Sequence, residues 1–222
     1  TISAVAKTLG ALPERAAKKP DYAAARDVKF PTEPKQKNFN FTTEIERAYS
    51  LTYWPTTDMK DIQRPRRLAL LGQILDDRLR LKVREELGES YSPASYHVPS
   101  DTFPGYGYMT AMVTLKPDHV AKVGPIVAKL GDDLASGSIS DDEFERAKKP
   151  QLTQLEQMRR DNRYWIQNVL RCCQEHPERL DWSRSLVNDF ASIKREDLEA
   201  LAKEYLSGSR AVNIGIIPEQ VK

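Results

Sequence analysis

The sequence predicts an α+β fold, a two-layer sandwich in which helices cover one face of a mostly antiparallel sheet. The segments with strand-like alternation come in two consecutive pairs, and four helical segments follow before a closing strand at 211–217. Strands that follow one another closely are joined as hairpins and are therefore antiparallel. Helices that are grouped apart from the strands pack together on one side of such a sheet.

The N-terminal region predicts little regular structure. Residues 1–10 have the composition of a short helix that ends at Gly10, and because the chain does not begin with Met we expect a piece of a longer protein. Residues 13–36 contain four prolines among many Ala and Lys residues, a composition that a long helix does not tolerate. We predict a proline-rich excursion there, within a single domain that spans 1–222.

The next segments predict a strand pair and a long helix. Residues 38–42 and 48–54 alternate in polarity and are rich in aromatic and β-branched side chains, so we predict a hairpin. Between 66 and 87, apolar side chains recur every three or four residues, which gives a helix one buried stripe. Gly88 follows where a left-handed C-cap residue is expected.

The second half of the chain predicts a strand pair and a helical layer. Strands are expected at 90–98 and 105–115. Ser140 and Glu143 have the spacing of a capping box at the start of a long helix that continues toward Cys173. The predicted helices are 118–135, 140–173, 177–190 and 195–206.

Composition excludes several classes of protein. The net charge of +2 balances 34 basic against 32 acidic residues, so no overall field favours nucleic acid. No apolar run reaches the roughly 18 residues of a membrane span.

Cys172 and Cys173 are adjacent in a helical pattern, where neighbouring side chains diverge by about 100°, so we expect no disulfide between them. These features do not determine the cellular compartment, for which we prefer a bacterial periplasm to the cytoplasm.

The sequence contains no complete catalytic motif of the kinds that residue spacing can reveal. Its three histidines, His97, His119 and His176, are too far apart for HExxH or HxxEH zinc sites. Nucleophile-elbow and phosphate-loop patterns are also missing. Tyr106 and Tyr108 flank Gly107 in a strand, where cross-strand packing is a commoner role than a stacking surface for ligands.

The helix end at Val83–Pro93 offers two interpretations. Arg84 lies in the last helical turn, where a cation suits the helix dipole, and Tyr91 then belongs to the next strand. Alternatively, a guanidinium and a phenol on the two sides of one tight turn both donate hydrogen bonds to a bound peptide. Residue types alone leave both interpretations open.

Four segments together resemble a known family. They are LKVREELGESYSP, GYGYMTAMVTLKPD, ISDDEFERAKK and LEALAKEYLSGSRAVNIGIIPE. In this order they resemble the non-zinc-binding domain of pitrilysin-type (insulinase superfamily) metallopeptidases, and the resemblance covers nearly the whole chain. It implies a metallopeptidase-repeat fold, derived from the ferredoxin-like one, in one half of a clamshell that closes over a peptide.

The resemblance also implies a division of labour. The catalytic half, absent from this chain, would hold zinc through HxxEH and a distal Glu, whereas this chain would bind no cofactor and cleave nothing alone. Arg84 and Tyr91 match the family's Arg and Tyr, seven residues apart, that contact substrate beside the scissile bond. The expected partners are the zinc-binding half and a peptide substrate, with no nucleic acid and no membrane span. The alternative is a catalytically dead scaffold or processing-partner subunit of the same family.

Overall fold

The computed structural model describes residues 1–14, 21–31, 33, 35–87, 92–171 and 173–219, without the side chains of residues 86 and 87. The strands are β1 (Gln36–Thr42), β2 (Ala48–Pro55), β3 (Ala94–Pro99), β4 (Gly107–Leu115) and β5 (Val212–Glu219). The helices are α1 (Ile2–Lys7), α2 (Gln63–Leu87), α3 (Val120–Ala135), α4 (Asp141–Met158), α5 (Asn162–Tyr164), α6 (Glu178–Ser192) and α7 (Arg195–Tyr205). The predicted C-cap at Gly88 lies outside the described residues.

The strands form one sheet in the order β1-β5-β2-β4-β3, with only the β1–β5 pair parallel. The predicted hairpin between the first two strands is wrong, because β5 lies between them. All seven residues of β1 are exposed, which suits an edge strand, whereas β5 carries buried Val212 and Gly215 and takes an interior position. The second predicted hairpin, β3 with β4, is confirmed.

Helices α2 and α3 cover one face of the sheet, so the predicted two-layer α+β fold is confirmed. Trp54 of β2 is fully buried beneath α3. Gly131 allows this approach, because a Cβ at that position would lie 2.9 Å from the Trp54 ring and would also meet the carbonyl oxygen of Leu206. The core continues along α2 through Leu68, Leu71, Leu75 and Leu79.

Two predicted helices end earlier than expected. Helix α1 ends at Lys7, and Gly10 lies within a following 3-10 turn. The long helix predicted to reach Cys173 ends at Met158. Asp161 then caps a new helix by accepting a hydrogen bond from the backbone N–H of Arg163 at 2.8 Å, and a π-helical turn follows at Trp165–Leu170. The apolar spacing continues across this break, so periodicity alone did not reveal it.

The predicted capping box at the start of α4 is confirmed and is linked to α2. The Ser140 hydroxyl accepts from the Glu143 backbone N–H at 3.2 Å, and the Glu143 carboxylate accepts from the Ser140 backbone N–H at 3.0 Å. Arg78 of α2 donates from Nε to Glu143 Oε1 at 2.7 Å. The hydrogen bonds from Arg78 and, to a smaller extent, those from Ser140 lower the pKa of Glu143 to about 2.

This depressed pKa predicts an acid-sensitive contribution to stability. Because the carboxyl pKa is near 4.5 without these contacts, the contribution is complete above that pH and is lost as pH falls toward 2. At neutral pH we expect Glu143→Gln to lower the unfolding free energy by about 1.5–3 kcal/mol and to flatten its dependence over this acid range. Urea unfolding at several pH values measures both effects. Glu145→Gln on the same helix, where the exposed carboxylate is 3.3 Å from Lys149, should change little; equal curves for the two variants would contradict the prediction.

Candidate functional site

The sheet face opposite α2 and α3, here called the open face, is apolar and aromatic. Side chains on β2 alternate, so that Ala48, Ser50, Thr52 and Trp54 are buried toward the helices while the residues between them are only partly buried. The register assigns the open-face positions of the strands. They include Phe39, Phe41, Tyr49, Leu51, Tyr53, Tyr96, Tyr108, Thr110, Met112, Thr114, Ile214 and Ile216.

One end of the open face is a cluster of tyrosines. The rings of Tyr53 and Tyr108 meet edge to face with centroids 5.3 Å apart, which confirms the predicted cross-strand packing of Tyr108. Tyr96 lies on the neighbouring strand and is 47% exposed. Burial, and secondarily the neighbouring phenols, raises the pKa of both Tyr53 and Tyr108. These phenols therefore remain neutral and can both donate and accept hydrogen bonds.

The other predicted aromatic position belongs to the loop beside this cluster. Tyr106 precedes β4 and its ring lies 5.7 Å from that of Phe30 and 6.2 Å from that of Phe103. The open face is thus bordered by a second aromatic group at the end where β4 begins.

A polar cleft of about 510 Å³ lies at the opposite end of the open face. It is lined by Glu46, Arg47, Tyr49, Ser92, Thr114, Leu115 and Lys116. Tyr49 and Thr114 face each other in the register of β2 and β4. Because side chains alternate along a strand, Arg47 and Lys116 continue the same face at the strand ends.

Of the two residues predicted from the helix end, only Arg84 lies within the described part of the chain. Arg84 is in the last turn of α2, is exposed, and has no ion-pair or side-chain hydrogen-bond partner among the described residues. Tyr91 lies outside the described residues, so its position relative to Arg84 stays a prediction. Ser92, the first described residue after it, lines the cleft.

The histidines do not form a metal site. His97 is on β3, where its Nε2 lies 2.9 Å from the Thr56 hydroxyl and burial lowers its pKa to about 4. His176 precedes α6 and lies 3.1 Å from Glu178. Residues with metal-ligating side chains are nowhere grouped in threes or more within the part of the chain that the structure describes. The same part contains no helix long and apolar enough to cross a membrane.

The comparison with protein families decides what kind of domain this is. The family model described as the peptidase M16 inactive domain matches residues 1–150. The chain belongs to this family. The resemblance predicted from the sequence is therefore confirmed, and an M16 inactive domain is the non-catalytic kind of domain in this peptidase family.

Solved structures share the fold of this M16 inactive domain. A protease from Helicobacter pylori superposes with a TM-score of 0.72 at 13% identity, over 98% of this chain and 52% of that one. The periplasmic protease PqqL from Escherichia coli gives a TM-score of 0.69 at 14% identity, over 98% of this chain and 24% of that one. The ferredoxin protease FusC, in a complex with Arabidopsis ferredoxin, gives a TM-score of 0.64 at 13% identity, over 83% of this chain and 20% of that one.

These lengths show that the domain corresponds to part of a larger molecule in each case. The chain spans about half of the Helicobacter protein and about a quarter of PqqL. None of the curated proteins matches the sequence.

Sequence patterns alone did not identify most of the open face of this M16 inactive domain. Arg47 precedes a strand in a polar segment, and Tyr96 is one aromatic residue in a short strand. The signal that joins them is the shared alternation of β2, β3 and β4, which becomes informative only when the strand order is known.

Proposed function

We propose that this M16 inactive domain binds an extended peptide on its open face, as the non-catalytic half of a zinc-dependent metalloendopeptidase. The observation that carries the proposal is the open face itself. It is a surface of aromatic and aliphatic side chains on which none of the described helices packs, and it leads into the cleft beside Ser92.

The chemistry of the open face suits a peptide chain. Tyrosine rings contribute apolar contact area, and their hydroxyl groups pair with peptide N–H and carbonyl groups at little cost in side-chain entropy. Leu51, Met112 and Ile214 lie in one row across three strands and supply the apolar centre. The Arg84 guanidinium at the end of α2 has no partner among the described residues and can donate to a peptide carbonyl oxygen.

In this proposal the catalytic zinc would be held by the other half of the protein, where it would supply an activated water. The residues of this domain bind and orient the peptide and exclude water from it. The described histidines do not fit a zinc site, so no step of catalysis is assigned to them. Cleavage of peptide by the complete protein, abolished by a zinc chelator, would distinguish this function from that of a catalytically dead scaffold.

Tyr96→Ala tests the open face directly. Tyr96 is 47% exposed, so its removal leaves the core intact, and we expect peptide affinity to fall about tenfold. The measurement is fluorescence anisotropy of a labelled, unstructured peptide with the complete parent protein, held in a zinc chelator to prevent cleavage. Tyr22→Ala is the matched control, because Tyr22 is 56% exposed but lies outside the sheet. Unchanged affinity in Tyr96→Ala would argue against binding on this face.

A further inference from the structure

We propose that the cleft at the Tyr49 end of the open face binds a carboxylate group of the peptide, with Arg47 as the residue that selects it. The inference rests on the proposed function, because it assigns the charge and the direction of the same bound peptide. The carboxylate is either the peptide C-terminus or an Asp or Glu side chain, since both present the same group to the cleft.

Charge is distributed unequally in the cleft. Its lining includes two cations, Arg47 and Lys116, and one carboxylate, Glu46. Glu46 and Lys116 already have interaction partners. Arg47 is exposed and its guanidinium has neither an ion pair nor a hydrogen bond within the described residues. It is therefore the cation in this cleft that a ligand can neutralise.

Arg47 is held at the mouth of the cleft by its backbone. Its N–H donates to the Ile45 carbonyl oxygen at 2.8 Å, and the Ile45 N–H donates to the Thr43 hydroxyl at 3.2 Å. These contacts fix the short turn that precedes β2, whose first residue, Ala48, is fully buried. The base of the Arg47 side chain is thus anchored while its guanidinium stays exposed.

The neighbouring groups favour a carboxylate over other ligands. A guanidinium binds a carboxylate through two parallel hydrogen bonds, a geometry that gives specificity as well as affinity. Tyr49, Ser92 and Thr114 also line the cleft, and their hydroxyl groups can donate to the remaining lone pairs of the carboxylate oxygens. The volume of about 510 Å³ lies within the range of clefts that hold small ligands.

The rest of the open face gives the bound peptide a direction. The row through Tyr53, Thr110 and Tyr96 carries no charge. The cation on β1 in the central row, Lys37, lies over the Phe39 ring with Nζ 4.7 Å from its centroid. Tyr49 and Tyr53 are four residues apart on β2, or about 13 Å. We therefore infer that the carboxylate lies about four residues along the peptide from the side chain that the tyrosine cluster contacts.

The test compares four labelled peptides of one length, each with a Phe four residues from its variable end. One has a free C-terminal carboxylate, one the corresponding amide, and two carry Asp or Asn at the same position with an amide end. Their affinities are measured by fluorescence anisotropy on the complete parent protein in a zinc chelator. We expect wild type to prefer at least one carboxylate peptide over its neutral counterpart by about tenfold. Which pair shows the preference identifies the source of the carboxylate.

Arg47→Gln should abolish this preference by lowering the affinity for the carboxylate peptide to that for its neutral counterpart. The affinity for the neutral peptide should be the same as in wild type. Arg47→Lys should keep part of the preference, because a point charge remains without the two-pronged geometry. Arg160→Gln, at an exposed arginine on the helical side, should leave it intact. Equal wild-type affinities within both pairs, or equal losses for acid and neutral peptides in Arg47→Gln, would overturn the inference. If no peptide binds wild type, the proposed function itself fails.

Discussion

Arg84→Ala in the complete parent protein is expected to lower peptide turnover by roughly one to three orders of magnitude, as is typical when a charge-stabilising donor is lost. The reason is that the Arg84 guanidinium, at the end of α2, is exposed and pairs with no described side chain, so it is available to a bound peptide. Because Arg84 supports no described contact, the unfolding free energy should stay within about 0.5 kcal/mol of wild type.

The kinetic parameters separate this role from simple binding. A donor that acts beside the scissile bond should lower kcat and kcat/KM together, whereas loss of Arg47 or Tyr96 should mainly raise KM. Tyr91→Phe removes the second proposed donor without altering the ring and should reproduce the loss. Arg160→Ala serves as the control for removing an exposed arginine elsewhere. If Arg84→Ala and Tyr91→Phe both keep wild-type kinetics, Arg84 is only a favourable charge at a helix end.

The layers of this fold were predictable because they are encoded locally. The stripe of Leu68, Leu71, Leu75 and Leu79 specifies a helix and its buried side without reference to any distant residue. The sheet order was not predictable in the same way. Alternation predicts strands at 38–42 and 48–54, close to the observed β1 and β2, but the insertion of β5 between them depends on a segment more than 150 residues away.

The candidate site also combines residues that the sequence could reveal with residues that only the strand pairing brings together. Arg84 and Tyr91 were identified by family resemblance, because a cation near a helix end has an ordinary electrostatic explanation. Arg47, Ser92 and Lys116 come from three separate segments and meet only because β2 pairs with β4 and β3 follows alongside. No spacing in the sequence expresses that meeting, and the strand register was needed to find it.

Asp189→Ala is expected to cause the largest loss of stability, about 3–5 kcal/mol, because it leaves the buried Arg66 cation without its partner. Arg66 of α2 is 7% exposed, and its guanidinium pairs with the Asp189 carboxylate of α6 and donates to the Ser185 hydroxyl at 2.9 Å. Burial lowers the pKa of Arg66, while the charge of Asp189 opposes that shift. The measurement is urea unfolding followed by circular dichroism.

The double variant Arg66→Met with Asp189→Leu separates the cost of an unpaired charge from the worth of the pair. Replacing both partners by apolar side chains of similar size removes the desolvation penalty together with the attraction, so the double variant should be far more stable than Asp189→Ala. Arg184→Met, which breaks an exposed pair with Asp181 on the same helix, should cost at most about 1 kcal/mol. If Asp189→Ala lowers the unfolding free energy no more than Arg184→Met does, the Arg66 guanidinium is solvated in the folded protein. The Arg66–Asp189 pair then does not stabilise the packing of α2 against α6.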